Sequence, residues 1–303
     1  MQANSFFSTS FKKTLTSILG NHLEITEIKR ITGGDINDAF ALTINDGSHL
    51  FMKCNAKDNV SFFRAEATGL KAIAQTDTIA TPHILYIGTD DSSVGRSFML
   101  MEFMKEKRRI SNYWETFAHQ LAAMHQAPTQ HLVSVDGYGF IENNYIGSRP
   151  QINSARQNWT SFFRDCRLEP QFKDAEHYFQ ATDIKKIIRL LDQIDHLLIE
   201  PEHPSLLHGD LWSGNVITGN DGKAWLIDPA VYIGHAEADL AMTELFGGFP
   251  QTFYAADQAT SPLQLGYERR RDLYNLYHLL NHLNMFGSSY LSSVKRILRE
   301  YIP

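Results

Sequence analysis

Ten residues, Leu206 to Asn215, carry the densest chemistry in the chain: LLHGDLWSGN. His208 is followed two positions later by Asp210 and, five beyond that, by Asn215. This H-x-D-x-x-x-x-N spacing suits phosphoryl transfer. A carboxylate at Asp210 can accept the proton of an attacking hydroxyl. A neutral amide oxygen at Asn215 can ligate a magnesium ion that carries ATP phosphates. His208 belongs to the scaffold of the loop. The next apolar run, AWLI, ends at Asp228, where a second oxygen ligand for the metal is expected. HGD by itself is compatible with an ordinary polar turn. With Asn215 and Asp228 both in place, the reading shifts to a catalytic loop.

Such a loop needs a fixed strand before it, and Leu206 and Leu207 supply a short buried one. The groups that hold nucleotide must come from earlier in the chain. Residues near 4 to 20 read as an opening helix, with Phe7, Phe11, Leu15 and Ile18 at helical spacing. LEITEIKRI, NDAFALTI and HLFMKC alternate apolar and polar residues, so they read as a strand meander, with NDGS turning the second into the third. Gly33 and Gly34 follow the first strand. Either they let backbone N–H groups approach ATP phosphates, or they form a plain hairpin turn, since the full G-x-G-x-x-G is missing. Lys53 sits inside the apolar run FMKC, where an ammonium is costly unless paired. Glu66, in the helical segment FFRAEATGLKAIAQ, is the expected partner. HILYIGTDD and RSFMLMEFM complete a five-stranded antiparallel sheet with one helix, after which Glu102 and Phe103 open a connector.

Beyond Lys105 the pattern turns helical. YWETFAHQLAAMHQ places Trp114, Phe117, Leu121 and Met124 on one core face, with His119 and His125 as surface or hydrogen-bonded core residues. Residues 127 to 160 are irregular, and so long a stretch within a compact domain is often functional. NWTSFFRDCRLEPQ and TDIKKIIRLLDQIDHLLI read as helices, the second with a buried stripe of Ile184, Ile187, Ile188, Leu191 and Ile194. Pro201 and Pro204 stop it. In AEADLAMTELF, Asp239 stands among apolar neighbours. Either it accepts N–H groups from the catalytic loop and stiffens it, or it is a polar residue near a helix start. In RRRDLYNLYHLLNHLNMF, Leu273, Leu276, Leu280 and Leu283 are core, while His278 and His282 share a face with no third metal ligand indicated.

The bulk composition is that of a globular protein. The 303 residues are 43% hydrophobic and 20% charged, with a formal net charge of −6. A dedicated nucleic-acid binder would need clustered positive charge. Two cysteines, Cys54 and Cys166, make no disulfide framework. Neither a signal peptide nor a bilayer-spanning run is evident, so a cytoplasmic protein with no membrane or nucleic-acid partner is expected, as a monomer or weak dimer.

With these residues assembled, the chain resembles the fructosamine kinase (ketosamine-3-kinase) family, a branch of the protein-kinase-like fold close to aminoglycoside and choline kinases. The resemblance runs through TGGDIND, FMKCNA, FFRAEATGLKAI, YGFIENNYIGSRPQIN, FFRDCRLEPQ, LLHGDLWSGN, IDPAVYIGHAEADLAMTELFGGF and LYHLLNHLNMFG. It implies an α+β, bilobal protein-kinase-like fold. Residues 1–104 would form an ATP-binding lobe around the five-stranded sheet, and residues 105–303 a mainly helical lobe for catalysis and substrate. It implies ATP and Mg²⁺ as cofactors. Asp210 then matches the proton acceptor, Asn215 and Asp228 the metal ligands, Lys53 and Glu66 the phosphate-holding pair. Met101, Glu102 and Phe103 match the adenine-binding connector, and Trp212 and His282 fall where sugar-binding residues are expected. Two departures stand out: Asp35 where the family often has cysteine, and Ala155 where it often has tryptophan.

The implied activity is ATP-dependent phosphorylation of the sugar O3 of ketosamines (fructosamine, ribulosamine or erythrulosamine adducts), small or protein-bound, in the service of deglycation. Two alternatives remain at this point. One is a kinase of another small hydroxylated amine, aminoglycoside- or choline-like, which would need acidic residues such as Glu237 and Asp239 facing a cation. The other is a non-catalytic module of the same fold, against which Lys53, Asp210, Asn215 and Asp228 speak.

Overall fold

The structure, a computed structural model, describes residues 9–20, 22–31, 37–90, 95–105, 107–133 and 137–303. The expected glycine loop of Gly33 and Gly34, with Asp35, lies outside the described residues. The chain opens with α1 (Thr9–Leu19), followed by β1 (Ile25–Ile31), β2 (Asp38–Ile44), β3 (His49–Ala56), α2 (Val60–Ala74), β4 (Ile84–Thr89) and β5 (Arg96–Glu102). The strands form one antiparallel sheet in the order β1-β2-β3-β5-β4, which makes β3 central. Alternation along β3 sends Met52 and Cys54 to the face covered by Phe11 and Leu15 of α1. Lys53, one position out of phase, points to the opposite face, where α2 packs. The meander and all five strands are as the alternation and turn residues predict.

The larger lobe begins with α3 (Tyr113–His125), then the short hairpin β6 (Asn144–Ile146) and β7 (Arg149–Gln151), and α4 (Trp159–Phe163). A single π-helical turn, Arg164–Leu168, leads into α5 (Glu169–Asp174), α6 (Ala181–Asp192) and α7 (Ile194–Leu197). Next come β8 (Ser205–Leu207), β9 (Val216–Thr218), β10 (Ala224–Leu226) and β11 (Tyr232–Gly234). The chain closes with α8 (Ala236–Leu245), α9 (Gln251–Thr260), α10 (Tyr267–Phe286) and α11 (Leu291–Tyr301). One continuous core holds the lobe together, with Phe117, Trp159, Phe162, Leu206, Leu207, Leu273, Leu276 and Leu280 all fully buried. Burying each such side chain contributes about 1.5–3 kcal/mol before entropy is counted.

One expected stripe is displaced. Ile188 is 53% exposed, while Leu190 is fully buried beside Ile187 and Ile194. α6 packs mainly on α11 and so buries a narrow face, which leaves Ile188 on its rim. The irregular stretch from 127 to 160 also has a structural task that its composition does not announce. Its hairpin carries the buried amides Asn144, Gln151 and Asn153. Asn144 donates to the Val231 carbonyl at 2.7 Å, and Gln151 to the Ala230 carbonyl at 2.9 Å. On its other side, Tyr145 packs on Phe62 and meets the Ser61 hydroxyl at 3.1 Å. The hairpin thus ties the backbone just after Asp228 to α2, the helix that carries Glu66.

Candidate active site

The loop of His208 to Asn215 is held from beneath. β8 pairs with β11, Leu207 opposite Tyr232, so the chain leaves a buried two-stranded ladder as the loop starts. His208 has no solvent exposure. Its Nε2–H donates to the Ile227 carbonyl at 2.9 Å, which leaves Nδ1 to accept the Asp210 N–H at 3.2 Å. Burial lowers its pKa, so the ring is a neutral spacer that fixes the approach of Asp210. Gly209 adopts a φ of +79°, and a Cβ there would lie 2.1 Å from the Ala230 carbonyl oxygen, so no other residue fits.

Asp239, in the first turn of α8 and 1% exposed, accepts the His208 N–H at 2.8 Å and the Gly209 N–H at 2.9 Å. His125 Nε2 donates to the same carboxylate at 3.1 Å. Burial alone would raise this carboxyl, but the hydrogen bonds from His125 and from the Gly209 amide help outweigh it, and the carboxyl is held below the usual range. Between a loop-bracing carboxylate and a helix-start residue, the geometry favours the brace. Glu237, by contrast, makes a buried two-bond ion pair with Arg270, at 2.8 and 2.6 Å.

Asn215 closes the loop. Its amide nitrogen donates to the Asp210 backbone carbonyl at 2.8 Å and to Asp210 Oδ2 at 3.2 Å. The hairpin β9–β10, with Val216 opposite Leu226, brings Ile227 N–H to the Asn215 carbonyl at 3.1 Å and so sets Asp228 beside it. Asp228 takes a left-handed backbone, φ +53°, uncommon for a residue with a side chain. Its carboxylate is ion-paired with Lys53, whose ammonium also meets Glu66 at 2.6 Å. Burial would lower Lys53, yet Asp228 and Glu66 together hold it above the ordinary lysine range. Burial pushes Glu66 up to about 7 against the pull of Lys53, and Asp228 stays low because the same ammonium lies against it. Asp210 keeps 23% of its side chain exposed. Burial of the rest pushes its carboxyl up to about 7, Asn215 opposing and the charges of Asp228 and Asp239 adding to the rise.

These residues fit a magnesium ion. The Asn215 amide oxygen accepts no hydrogen bond among the described residues, and the Asp228 side chain is 44% exposed. Two hard oxygens suffice for an ion that fills its remaining positions with phosphate and water. No cluster of three or more His, Cys, Asp or Glu that could hold a metal occurs among the described residues, the pair His278 and His282 included.

On the connector, Met101 is buried and Glu102 is engaged twice with His83: its N–H donates to the His83 carbonyl at 3.0 Å and its carboxylate accepts the His83 N–H at 2.8 Å. The Glu102 N–H is therefore spent and is not free for a ligand. The Phe103 ring lies 5.7 Å from that of His49.

The opposite end of the loop is aromatic. Trp212 is 37% exposed, and a Cβ on Gly214 would fall 2.3 Å from its ring, so the indole lies flat over a glycine. Phe246 links Trp212, at 6.3 Å, to His282, at 4.9 Å. Phe286 and Tyr290 flank the same imidazole at 5.4 and 5.1 Å. His282 Nδ1–H donates to the His278 carbonyl at 2.8 Å, so the neutral ring has only an acceptor, Nε2, left for a ligand. Phe246 and Phe286 lie in segments that carry the family resemblance, but no feature of the sequence singles out either of them, or Tyr290, for a role. Only the i, i+4 spacing of His282 and Phe286 hints at the cluster.

Known proteins share this arrangement of chain. The protein-ribulosamine 3-kinase, chloroplastic, of Oryza sativa subsp. indica is 40% identical over 286 residues, covering 93% of this chain and 81% of the relative. A crystal structure of a candidate fructosamine-3-kinase from Haemophilus somnus superposes with a TM-score of 0.84 at 29% identity, covering 97% of each chain. An aminoglycoside phosphotransferase mutant in ternary complex with AMP-PNP and hygromycin B matches at a TM-score of 0.60 and 17% identity over 96% of this chain and 98% of that one, a likeness of fold alone. The sequence profile for fructosamine kinase matches residues 7–303, and the chain belongs to the fructosamine kinase family.

Proposed function

We propose that this protein is an ATP-dependent ketosamine kinase that phosphorylates the sugar O3 of fructosamine-, ribulosamine- or erythrulosamine-type adducts. The observation that carries this reading is the fate of the two nearby acidic residues. A kinase of a cationic aminoglycoside- or choline-like acceptor would turn Glu237 and Asp239 toward the amine. Here Glu237 is paired with Arg270 and Asp239 with the loop N–H groups, while the wall beside Asp210 is aromatic. Aromatic faces with one polar acceptor suit the C–H surface and hydroxyls of a sugar.

In this reading residues 1–104 form the ATP-binding lobe and residues 105–303 the lobe for catalysis and acceptor. Lys53, positioned by Glu66, holds the α- and β-phosphates, and the connector from Met101 to Phe103 takes the adenine. Asn215 and Asp228 hold Mg²⁺, which neutralises phosphate charge when bound. Asp210 accepts the proton of the O3 hydroxyl, and its place between His208 and Asn215 sets the direction of attack. Catalysis is then mainly positioning and electrostatics. A phosphate at C3 is a good leaving group: its β-elimination from the enolamine form of the adduct leaves a C1 imine, which water hydrolyses to the free amine and a dicarbonyl sugar, so the amine is freed of its adduct. Neither cysteine is paired, which supports a reducing, cytoplasmic setting. Among the described residues no helix is long and apolar enough to cross a membrane.

The test is ATP turnover with ribulose-lysine, fructose-lysine and an aminoglycoside side by side. Turnover with at least one ketosamine and none with the aminoglycoside is expected. The reverse pattern would sink the proposal.

A further inference from the structure

Four residues before His282 on α10, His278 is 4% exposed, and its Nδ1 has no hydrogen-bond partner. Buried polar atoms are nearly always paired, so an orphan beside a catalytic loop asks for an explanation. This nitrogen lies 3.9 Å from Asp210 Oδ1. The other oxygen of that carboxylate already faces the Asn215 amide at 3.2 Å. Behind His278, the fully buried Arg167 stacks its guanidinium on Tyr232, Phe162 and Tyr277 at 3.9, 4.6 and 5.5 Å, with no carboxylate partner among the described residues. Burial, His282 and the positive charge of Arg167 hold the His278 ring down to about 3, so it is neutral and carries one N–H. Facing a carboxylate, that hydrogen is attractive only on Nδ1.

We propose that His278 is the positioning residue for the proton acceptor: its Nδ1–H closes onto Asp210 Oδ1 when nucleotide and acceptor fill the cleft. This rests on the reading of Asp210 as the base. A movement of about 1 Å brings the pair into hydrogen-bond range, and catalytic contacts that are long in an empty site tighten in the complex. With Asn215 on one oxygen and His278 on the other, rotation of the carboxylate is locked. Its remaining lone pairs then keep one direction toward the incoming hydroxyl. Asn215 can hold this role and the metal together, its amide nitrogen on Asp210 and its oxygen outward.

The test exploits the two ring nitrogens. His278→Asn places an amide nitrogen near the Nδ1 position, whereas His278→Gln places one near Nε2. His278→Gln is expected to lower kcat on the order of 10- to 100-fold, the worth of a hydrogen bond to a charged group, with the KM for ATP within about twofold of the parent. His278→Asn is expected to stay at least about tenfold above it. Equal kcat for the two variants, high or low, overturns the proposal, because a packing role does not distinguish the nitrogens. Should either variant fail to fold, the parent protein crystallised with a non-hydrolysable nucleotide and a ketosamine decides. A Nδ1–Oδ1 separation within about 3.2 Å supports the contact, and one unchanged or longer refutes it. If Asp210→Asn leaves the parent's turnover intact, the base assignment itself has failed. If Asp210→Asn abolishes turnover while the two His278 variants remain alike, only His278 loses its role.

Discussion

On the side of the cleft proposed above for phosphate, Lys53 is ion-paired with Glu66 and Asp228, Asn215 hydrogen-bonds Asp210, and Asp239 braces the loop beneath them through two backbone N–H groups. On the side proposed for the acceptor, Trp212, Phe246, His282, Phe286 and Tyr290 meet ring to ring, with one backbone hydrogen bond on His282. Directional bonds fix atoms to fractions of an ångström, as in-line transfer requires. Ring contacts hold a surface but tolerate sliding and replacement. If the proposed assignment holds, the contrast makes the chemistry rigid and the choice of sugar soft. Substitutions on the first side should therefore act on turnover, and those on the second on acceptor affinity.

The hardest blow to the first side is Asp210→Asn. Size is kept, the proton acceptor and its charge are lost, and turnover should fall on the order of 100-fold or more while nucleotide binding and folding persist. Turnover within about threefold of the parent would remove Asp210 from the mechanism. Asp228→Ala belongs beside it. Turnover and magnesium dependence should weaken together, and a nucleotide complex with Asp228 or Asn215 far from the phosphates would refute the metal assignment.

A step lower lies the brace. Asp239→Asn keeps the shape but turns one acceptor into a donor that must face the His208 or the Gly209 N–H. The expected cost is about 1–3 kcal/mol of stability, with a fall in turnover as the loop loosens. Denaturant unfolding and steady-state rates on the same preparation would show both. A variant as stable and active as the parent would mean that the loop's rigidity comes from elsewhere.

How much of this was legible beforehand follows the same division. Local signals carried the five strands, the Lys53–Glu66 pair and the run from His208 to Asp228, because alternation, turn residues and motif spacing act within a few positions of the chain. What depends on distant partners was hidden. Phe246 joins Trp212 to His282 only after α8 and α10 pack together. Glu237 reads as a free acid until Arg270, 33 positions on, is seen to claim it. Asn144, Gln151 and Asn153 read as loop residues because polar side chains ordinarily face water, yet here they are buried, bonded to one another and to backbone carbonyls. Ile188 was misplaced because helical period alone does not give the width of the face a neighbour covers.

Acid adds a further test, since histidines around the loop and at the start of α8 are buried with their pKa held down. His235, whose Nδ1 caps α8 by accepting the Glu237 N–H, is held down to about 3 by burial first and then by the nearby Arg270 charge, and His278 is held to about 3 as well. An unfolded chain protonates histidine near pH 6.5. Between about pH 6.5 and 3 the unfolded state therefore binds protons that the fold refuses, and stability falls as pH drops. Each such group contributes up to about 1.4 kcal/mol per pH unit in that window, and nothing above it. In melting curves from pH 7.5 to 5, His235→Gln should flatten the dependence of stability on pH by about one proton. An unchanged slope would show that His235 already titrates in the folded protein.

The smallest expected effects test the soft side directly. Trp212 is more than a third exposed, lies over Gly214 and meets Phe246 edge to face, so its removal takes little from the core. Trp212→Ala should raise the KM for a ketosamine by up to about tenfold, the worth of one aromatic contact, with kcat and the KM for ATP within about threefold and the melting temperature little changed. His282→Ala removes one hydrogen-bond acceptor for a sugar hydroxyl and a ring shared by Phe246, Phe286 and Tyr290, and should do the same to a similar degree. Because the wall is made of rings rather than fixed bonds, these variants should also change the ratio of ribulose-lysine to fructose-lysine turnover, which no phosphate-side variant should do. If Trp212→Ala or His282→Ala instead lowers kcat by the order of 100-fold at unchanged KM, the wall is as rigid as the loop and the distinction fails. If either variant loses stability while its ketosamine kinetics stay normal, that residue is part of the core, and the acceptor surface lies elsewhere around Asp210.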